Sequence, residues 1–229
     1  MKFLVQTIKG EILHDFAFTL MEALKYQKWS GRDYHMAMVT DTAVDEPDWI
    51  PVGSVEFVQE YLKDAYGLTV KPRNVPEELM GPLFSGRALR NTIADKTIDL
   101  SNDNLFVKSN DEIKCEINLA QIPPGRYQLS TPVDFTSEWR AFVWRDELVG
   151  LQNYSGDFTK FPDVSKIKLM MKVFKGPCAY TLDVGLVNGT TYVVEVHDFF
   201  SCGLYGFADL QLLPLLLGGW FKEFLRNNK

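Results

Sequence analysis

The chain has 229 residues, 46% of them hydrophobic and 24% charged, and a formal net charge of −6. That composition suits a globular protein with a real hydrophobic core and leaves little room for extended disorder. An acidic chain repels phosphate backbones at long range, so no nucleic-acid partner is expected.

Cys115, Cys178 and Cys202 are odd in number and form no Cys-x-x-Cys pair. They fit neither a disulfide framework nor a zinc site and are read as small core residues in a reducing compartment. The opening MKFLVQTIKGE has no apolar stretch of signal-peptide length. The longest apolar run, near Leu210 to Leu217, is broken by Pro214. It falls far short of the roughly 20 residues that span a bilayer. The expectation is a cytoplasmic protein without a membrane segment.

In chain order, Met1 to Gln6 reads as a buried strand and Phe16 to Lys28 as a helix, with Phe16, Leu20 and Leu24 at helical spacing. Met36 to Thr40 reads as a second strand, so the N-terminal part is expected to be a small α/β layer. Pro47, Pro51 and Gly53 read as a loop. Ser54 is placed to cap a helix that runs to Tyr66 and stops at Gly67. A domain boundary is expected beyond the proline-rich Lys71 to Pro82, dividing the chain into residues 1–90 and 91–229. After it, Leu105 to Lys108, Arg126 to Thr131, Glu138 to Trp144 and Leu148 to Gln152 read as strands. Val164 to Phe174 reads as a helix, Thr181 to Val187 and Thr191 to His197 as strands, and Pro214 to Asn227 as a helix. The class is α+β, with an antiparallel sheet in the C-terminal part. His14 and His35 are read as structural, Trp139, Phe142 and Trp144 as core, and Tyr154, Gly156 and Asp157 as a substrate-side loop.

The segment from Thr181 to Asp198, TLDVGLVNGTTYVVEVHD, carries the chemistry. Asn188-Gly189 signals a hairpin. A two-residue turn would put Asp183 and Glu195 on opposite faces. A three-residue loop with a glycine bulge would join Leu182, Val184 and Leu186 with Tyr192, Val194 and Val196 on one apolar face. Asp183, Glu195 and His197 would then share the other. Burial specifies register, so the odd-length loop is predicted, with Gly189 at positive φ. Two carboxylates and an imidazole on one face suit magnesium bridged to a phosphate, whereas the plain alternative is a solvated polar face. Carboxylates side by side repel, so removing either charge is predicted to stabilise the metal-free protein.

These residues have companions in order along the chain. They are VGSVEFV (Val52 to Val58), LFVKS (Leu105 to Ser109), RYQLSTPV (Arg126 to Val133), SEWRAFVWRDELVG (Ser137 to Gly150), then Asp183, Glu195-Val196-His197 and VHDFFSCGLYGF. Together, over roughly residues 50 to 220, they resemble the ATP-grasp superfamily, most closely a compact group common in bacterial and phage genomes. The resemblance implies an ATP-grasp-like α+β fold that binds ATP and magnesium (Mg2+). It places Lys108 on the nucleotide phosphates, and Ser130 and Val133 on the strand beside the adenine. Glu138 falls among the nucleotide-binding residues, and Arg140 on phosphate or acyl phosphate. Asp183 and Glu195 fall at the metal. His197 stands where asparagine is usual and is left as a metal or phosphate ligand. The segment SNDEIKCEINLA has no glycine where most members carry a glycine-rich loop, and Lys114 is expected to supply charge there. The implied activity is that of a ligase joining a carboxylate to an amine, of an amino acid or peptide, through an acyl phosphate, with Arg140 and Lys108 as its catalytic residues. Two alternatives stay open: an ATP-binding module without ligase activity, and a metal-dependent hydrolase.

Overall fold

The computed structural model describes residues 1–31, 36–44 and 46–228. His35 lies outside them. The chain divides into two compact units, one within residues 1–70, 177–180 and 198–228 and the other of residues 71–176 and 181–197. The sequence division at residue 90 is contiguous, whereas these units are interleaved because the chain returns to the first one at its end. No described helix is long and apolar enough to cross a membrane.

The first unit holds a parallel three-stranded sheet in the order β2-β1-β3, from β1 (Lys2–Gln6), β2 (Met36–Thr40) and β3 (Ile50–Val52). Helix α1 (Asp15–Trp29) buries Phe16, Ala17, Leu20 and Ala23, close to the predicted stripe. Strand β3 falls where a loop was expected. Pro51 masked it, and an edge strand tolerates a proline because one side of its ladder is unused. Helix α2 (Val55–Tyr66) has the expected ends. The Ser54 hydroxyl accepts from Phe57 N–H at 3.2 Å. Gly67 takes φ 67°, and the N–H groups of Gly67 and Leu68 close the last turn onto Lys63 and Leu62 carbonyls. His14 precedes α1, its ring stacked on Phe16 at 5.1 Å.

The second unit is built on two antiparallel layers. One is a three-stranded sheet in the order β4-β6-β5, from β4 (Leu89–Ala94), β5 (Phe106–Ser109) and β6 (Gly125–Ser130). Strand β4 was not foreseen, because LRNTIA mixes polar and apolar residues with little contrast. A short helix α3 (Pro82–Ser85) precedes it. The other layer is a four-stranded sheet in the order β10-β9-β7-β8, from β7 (Ser137–Trp144), β8 (Glu147–Gly156), β9 (Ala179–Val187) and β10 (Thr190–Asp198). Helix α4 (Val164–Phe174) buries Ile167, Met170 and Met171 and is capped by the Asp163 carboxylate. A final helix, α5 (Leu213–Asn227), belongs to the first unit. Trp139 and Phe142 are buried as expected, whereas Trp144 is half-buried. Of the cysteines only Cys202 is a core residue; Cys115 is exposed and Cys178 half-buried.

The hairpin of β9 and β10 departs from the prediction. Its loop has two residues, Asn188 at φ 50° and Gly189 at φ 77°, the backbone signature of a type I′ turn. That turn sets Asp183 opposite Val194, so the apolar face proposed for Tyr192 and Val194 does not form. Along β10, however, the buried positions are Thr191 and Val193 and then Val196 and Asp198. The strand therefore changes parity at Val194–Glu195, as a bulge does. The extra residue returns Glu195 to the face of Asp183. Shared placement of the two acids survives, by a bulge in the strand and not by an odd loop.

The cap of α2 generates a direct test. Ser54→Ala removes the side-chain acceptor at the helix start and should cost about 1 kcal/mol. Thermal melting should show a fall of roughly 2–4 °C in Tm.

Candidate functional site

Alternation along the small sheet separates its two faces. Val107, Tyr127 and Leu129 turn one way and pack with Ile122 and Ala94. Leu89, Phe106, Lys108, Gln128 and Ser130 turn the other way. With Thr131, Pro132 and Val133 from the following loop, and with Glu138, Tyr154, Val194 and Glu195 from the large sheet, they line a cavity of about 460 Å³. Arg87, Leu105 and Phe135 complete the wall. Leu89, Phe106 and Val133 give the wall apolar surface, and Lys108, Glu138 and Glu195 give it charge.

Two ion pairs join strands remote in sequence. Lys108 Nζ donates to the Glu195 carboxylate. Arg140 is buried and grips Asp183 bidentately, Nε to Oδ1 at 2.8 Å and a terminal nitrogen to Oδ2 at 2.7 Å. Arg140 also lies over the ring of Tyr154 at 5.8 Å, and the Tyr154 hydroxyl donates to Glu138 Oε2 at 2.8 Å. Burial and the neighbouring Asp183, Glu138 and Glu195 charges hold the Tyr154 phenol protonated, well above its ordinary value. Burial pushes the Asp183 carboxyl up against the pull of Arg140. At Glu195 burial pushes the same way but is outweighed by Lys108, so that carboxyl titrates below its usual range. His197 is near enough to both acids to favour their charged forms.

Of the residues singled out by sequence, Lys108, Ser130, Val133, Glu138 and Glu195 line the cavity, with the Arg140–Asp183 pair against Tyr154. Lys114 is exposed, at φ 55° on the loop after β5, and is not part of the wall. Tyr154 was assigned to a loop but stands on β8, which runs on to Gly156. The register of β7 and β8 shifts there, so Glu138 faces Ser155 and Trp139 faces Asn153. This leaves Tyr154 as the inserted residue. Glu138 and Arg140 do not pair with each other as two residues on one strand face might; their partners are Tyr154 and Asp183.

Sequence reasoning missed Arg87, Leu89, Phe106, Phe135 and Gln128. Phe106 and Gln128 stand two residues from Lys108 and Ser130, so strand parity alone could have found them. Arg87 follows Gly86, which takes φ 61° and leaves no room for a Cβ because the Tyr192 ring would lie 2.6 Å from it. Its guanidinium donates to the Val193 carbonyl at 2.7 Å and the Val194 carbonyl at 3.0 Å. Nothing in the local sequence announces that contact.

Among the described residues no group of three or more His, Cys, Asp and Glu is arranged to hold a metal ion by itself. Magnesium commonly takes only one or two protein carboxylates and completes its shell with water and substrate phosphates. Glu195 on the wall and Asp183 on the same sheet face are hard oxygen donors of the kind such an ion takes when it arrives with a nucleotide.

A family model described as ATP-grasp domain, R2K clade family 3, matches residues 29–214. The chain belongs to this family, and its α+β architecture is the ATP-grasp fold. Among solved structures, D-alanine–D-alanine ligase from Bacillus anthracis complexed with ATP is similar at a TM-score of 0.53 and 10% identity, covering 100% of this chain and 98% of that one. Another structure of the Bacillus anthracis ligase gives 0.52 and 9%, covering 98% and 97%. A RimK domain ATP-grasp protein from Sphaerobacter thermophilus gives 0.50 and 13%, covering 96% and 98%. At these identities the likeness concerns the fold alone. No curated protein matches the chain.

The ion pairs reverse the expectation that removing an acid would stabilise the metal-free protein. Each carboxylate already has a cation, so Asp183→Asn strips a buried guanidinium of its counter-charge. It should destabilise by about 3 kcal/mol, read by chemical denaturation. Replacing Arg140 and Asp183 together by leucine should recover most of that loss.

Proposed function

We propose that this chain is an ATP- and magnesium-dependent ligase that joins a carboxylate to an amine, of an amino acid or a peptide, through an acyl phosphate. The observation that carries the reading is the cavity wall on which Lys108 meets Glu195, inside an ATP-grasp fold and beside the Arg140–Asp183 pair. A fold relative in complex with ATP, itself a ligase of D-alanine to D-alanine, lends support.

In this reading the adenine lies against the apolar side chains of Leu89, Phe106 and Val133, with Ser130 on the strand beside it. Lys108 exchanges Glu195 for a nucleotide phosphate, and Glu138 faces the same space. Glu195 and Asp183 would hold magnesium, with His197 next to them. Bound there with the nucleotide, the ion would supply a Lewis acid for the phosphate oxygens. A substrate carboxylate oxygen attacks the γ-phosphorus and ADP leaves. The amine nitrogen then attacks the acyl carbon, phosphate leaves, and the nitrogen gives up a proton. Arg140 stabilises the acyl phosphate, where charge accumulates. Lys114 stands outside the wall, and its assignment to phosphate requires the loop of residues 110–120 to close over the nucleotide.

A second reading, nucleotide binding without ligation, is favoured by that same glycine-free loop. The two separate in one assay: ADP and phosphate release should appear on adding a carboxylate and an amine for a ligase, and should be absent with or without them for a binding module. Screening amino acids and short peptides for stimulated ADP release would name the substrate.

The two cations should then fail differently. Lys108→Ala should weaken ATP binding by roughly tenfold or more in calorimetry, because it removes a charge-assisted contact to phosphate. Arg140→Ala should lower kcat with less effect on nucleotide affinity. Equal and small effects from both would place them outside the chemistry.

A further inference from the structure

We propose that Arg87 is a positioning residue that holds the bulge in β10 and so turns Glu195 toward Asp183; its consequence for metal and nucleotide rests on the function proposed above. Strand β10 is an edge of the large sheet. In a hairpin closed by a two-residue turn, Thr191, Val193 and Glu195 should point their N–H and C=O groups outward, and Tyr192, Val194 and Val196 inward to β9. The Val193 carbonyl obeys, donated to by Arg87 at 2.7 Å. The Val194 carbonyl does not. It also points outward, to the same guanidinium at 3.0 Å. From there the pattern stays inverted, because the Val196 N–H points outward and donates to the Asn74 carbonyl at 2.7 Å.

Two successive carbonyls on one side of a strand are what a bulge produces, and left without donors they would each lose a hydrogen bond. A planar fork with several N–H groups can serve both at once; an ammonium on a flexible stem holds no such fixed geometry. Arg87 is itself locked. Ser85, two residues before it, is buried, and its hydroxyl lies within hydrogen-bonding distance of the Arg87 carbonyl at 2.9 Å and the Met80 carbonyl at 3.0 Å. The guanidinium lies 5.8 Å over the Phe135 ring. The consequence falls one residue on. Val194 and Glu195, adjacent in sequence, both face the cavity. Without the bulge Glu195 would turn to the face of Thr191 and Val193, away from Lys108.

The test compares ATP binding in magnesium and in EDTA for the wild type, Arg87→Lys, Glu195→Gln and the double variant. Arg87→Lys should shrink the ratio of ATP affinity in magnesium to that in EDTA by about 10–100-fold. The double variant should be no worse than Glu195→Gln alone, since both act through one carboxylate. Retention of the magnesium gain by Arg87→Lys, or a further loss in the double variant, overturns the proposal. As a second route, ethylguanidine should restore Arg87→Ala and ethylamine should not; equal rescue would mean that charge alone matters. A crystal structure of Arg87→Lys reads the point without nucleotide. Glu195 should leave Lys108, and finding it still there refutes the assignment. A wild type that binds no ATP would sink the proposed function, while this last measurement would still decide the role of Arg87.

Discussion

Glu195 reaches its partners only because β10 changes parity one residue before it. The turn at Asn188-Gly189 sets a register in which this carboxylate belongs to the face of Thr191 and Val193, both fully buried. An unpaired carboxylate there would face a heavy desolvation cost. The bulge moves it across the sheet to Lys108, and Val196 and Asp198 take the buried positions in its stead. The same local event thus fills the core and brings Glu195 to Lys108 on the cavity wall. A second irregularity, between Glu138 and Trp139 on the other side of the large sheet, inserts Tyr154 and aims its hydroxyl at Glu138. Bulges serve this purpose well: they re-aim one side chain and leave the ladder on either side intact.

The small sheet is tied to the large one by backbone-like contacts from side chains. The Gln128 amide both accepts from and donates to the Val75 backbone, at 3.0 and 2.9 Å, as a strand would. Asn74 donates to the Ser109 carbonyl at 2.8 Å while its own carbonyl takes the Val196 N–H. One short segment therefore touches the residue after Lys108 and the residue after Glu195. The ion pair is held from both ends, which limits how far it can drift without nucleotide.

Elements with strong periodicity could be read from the sequence almost to the residue. Helix α4 has the predicted bounds, and the caps of α2 follow from Ser54 and Gly67. Strands without contrast could not be read: β3 is hidden by Pro51, and β4 alternates residues of similar character. At the site, spacing and resemblance pointed to Lys108, Glu138 and Glu195, which the cavity brings together, and to Arg140 and Asp183, which pair beside it. What stayed hidden is long-range in nature. The parity change in β10 goes with hydrogen bonds that Arg87 donates to it and Asn74 accepts from it, both about a hundred residues or more away in sequence. The apolar pattern places the two acids on one face, and within the hairpin's own sequence the Asn188-Gly189 loop is the visible device for doing so, whereas the bulge is not.

The metal-free ion pairs also bear on how the proposed ligands would act on one another. Lys108 and Glu195 neutralise each other, as do Arg140 and Asp183, so the cavity is close to balanced before anything binds. On the proposed function, a phosphate that takes Lys108 would leave the half-buried Glu195 without its counter-charge. A divalent cation relieves that charge, and it does so best when the phosphate is already present to share it. Each ligand therefore improves the site for the other, and by linkage the improvement is equal in both directions. On the proposed function, the pair that joins the two strands in the empty protein would also discriminate against free ATP. A nucleotide without its cation would have to break the Lys108–Glu195 contact and leave the acid uncompensated, whereas a nucleotide that brings magnesium replaces one balanced arrangement with another.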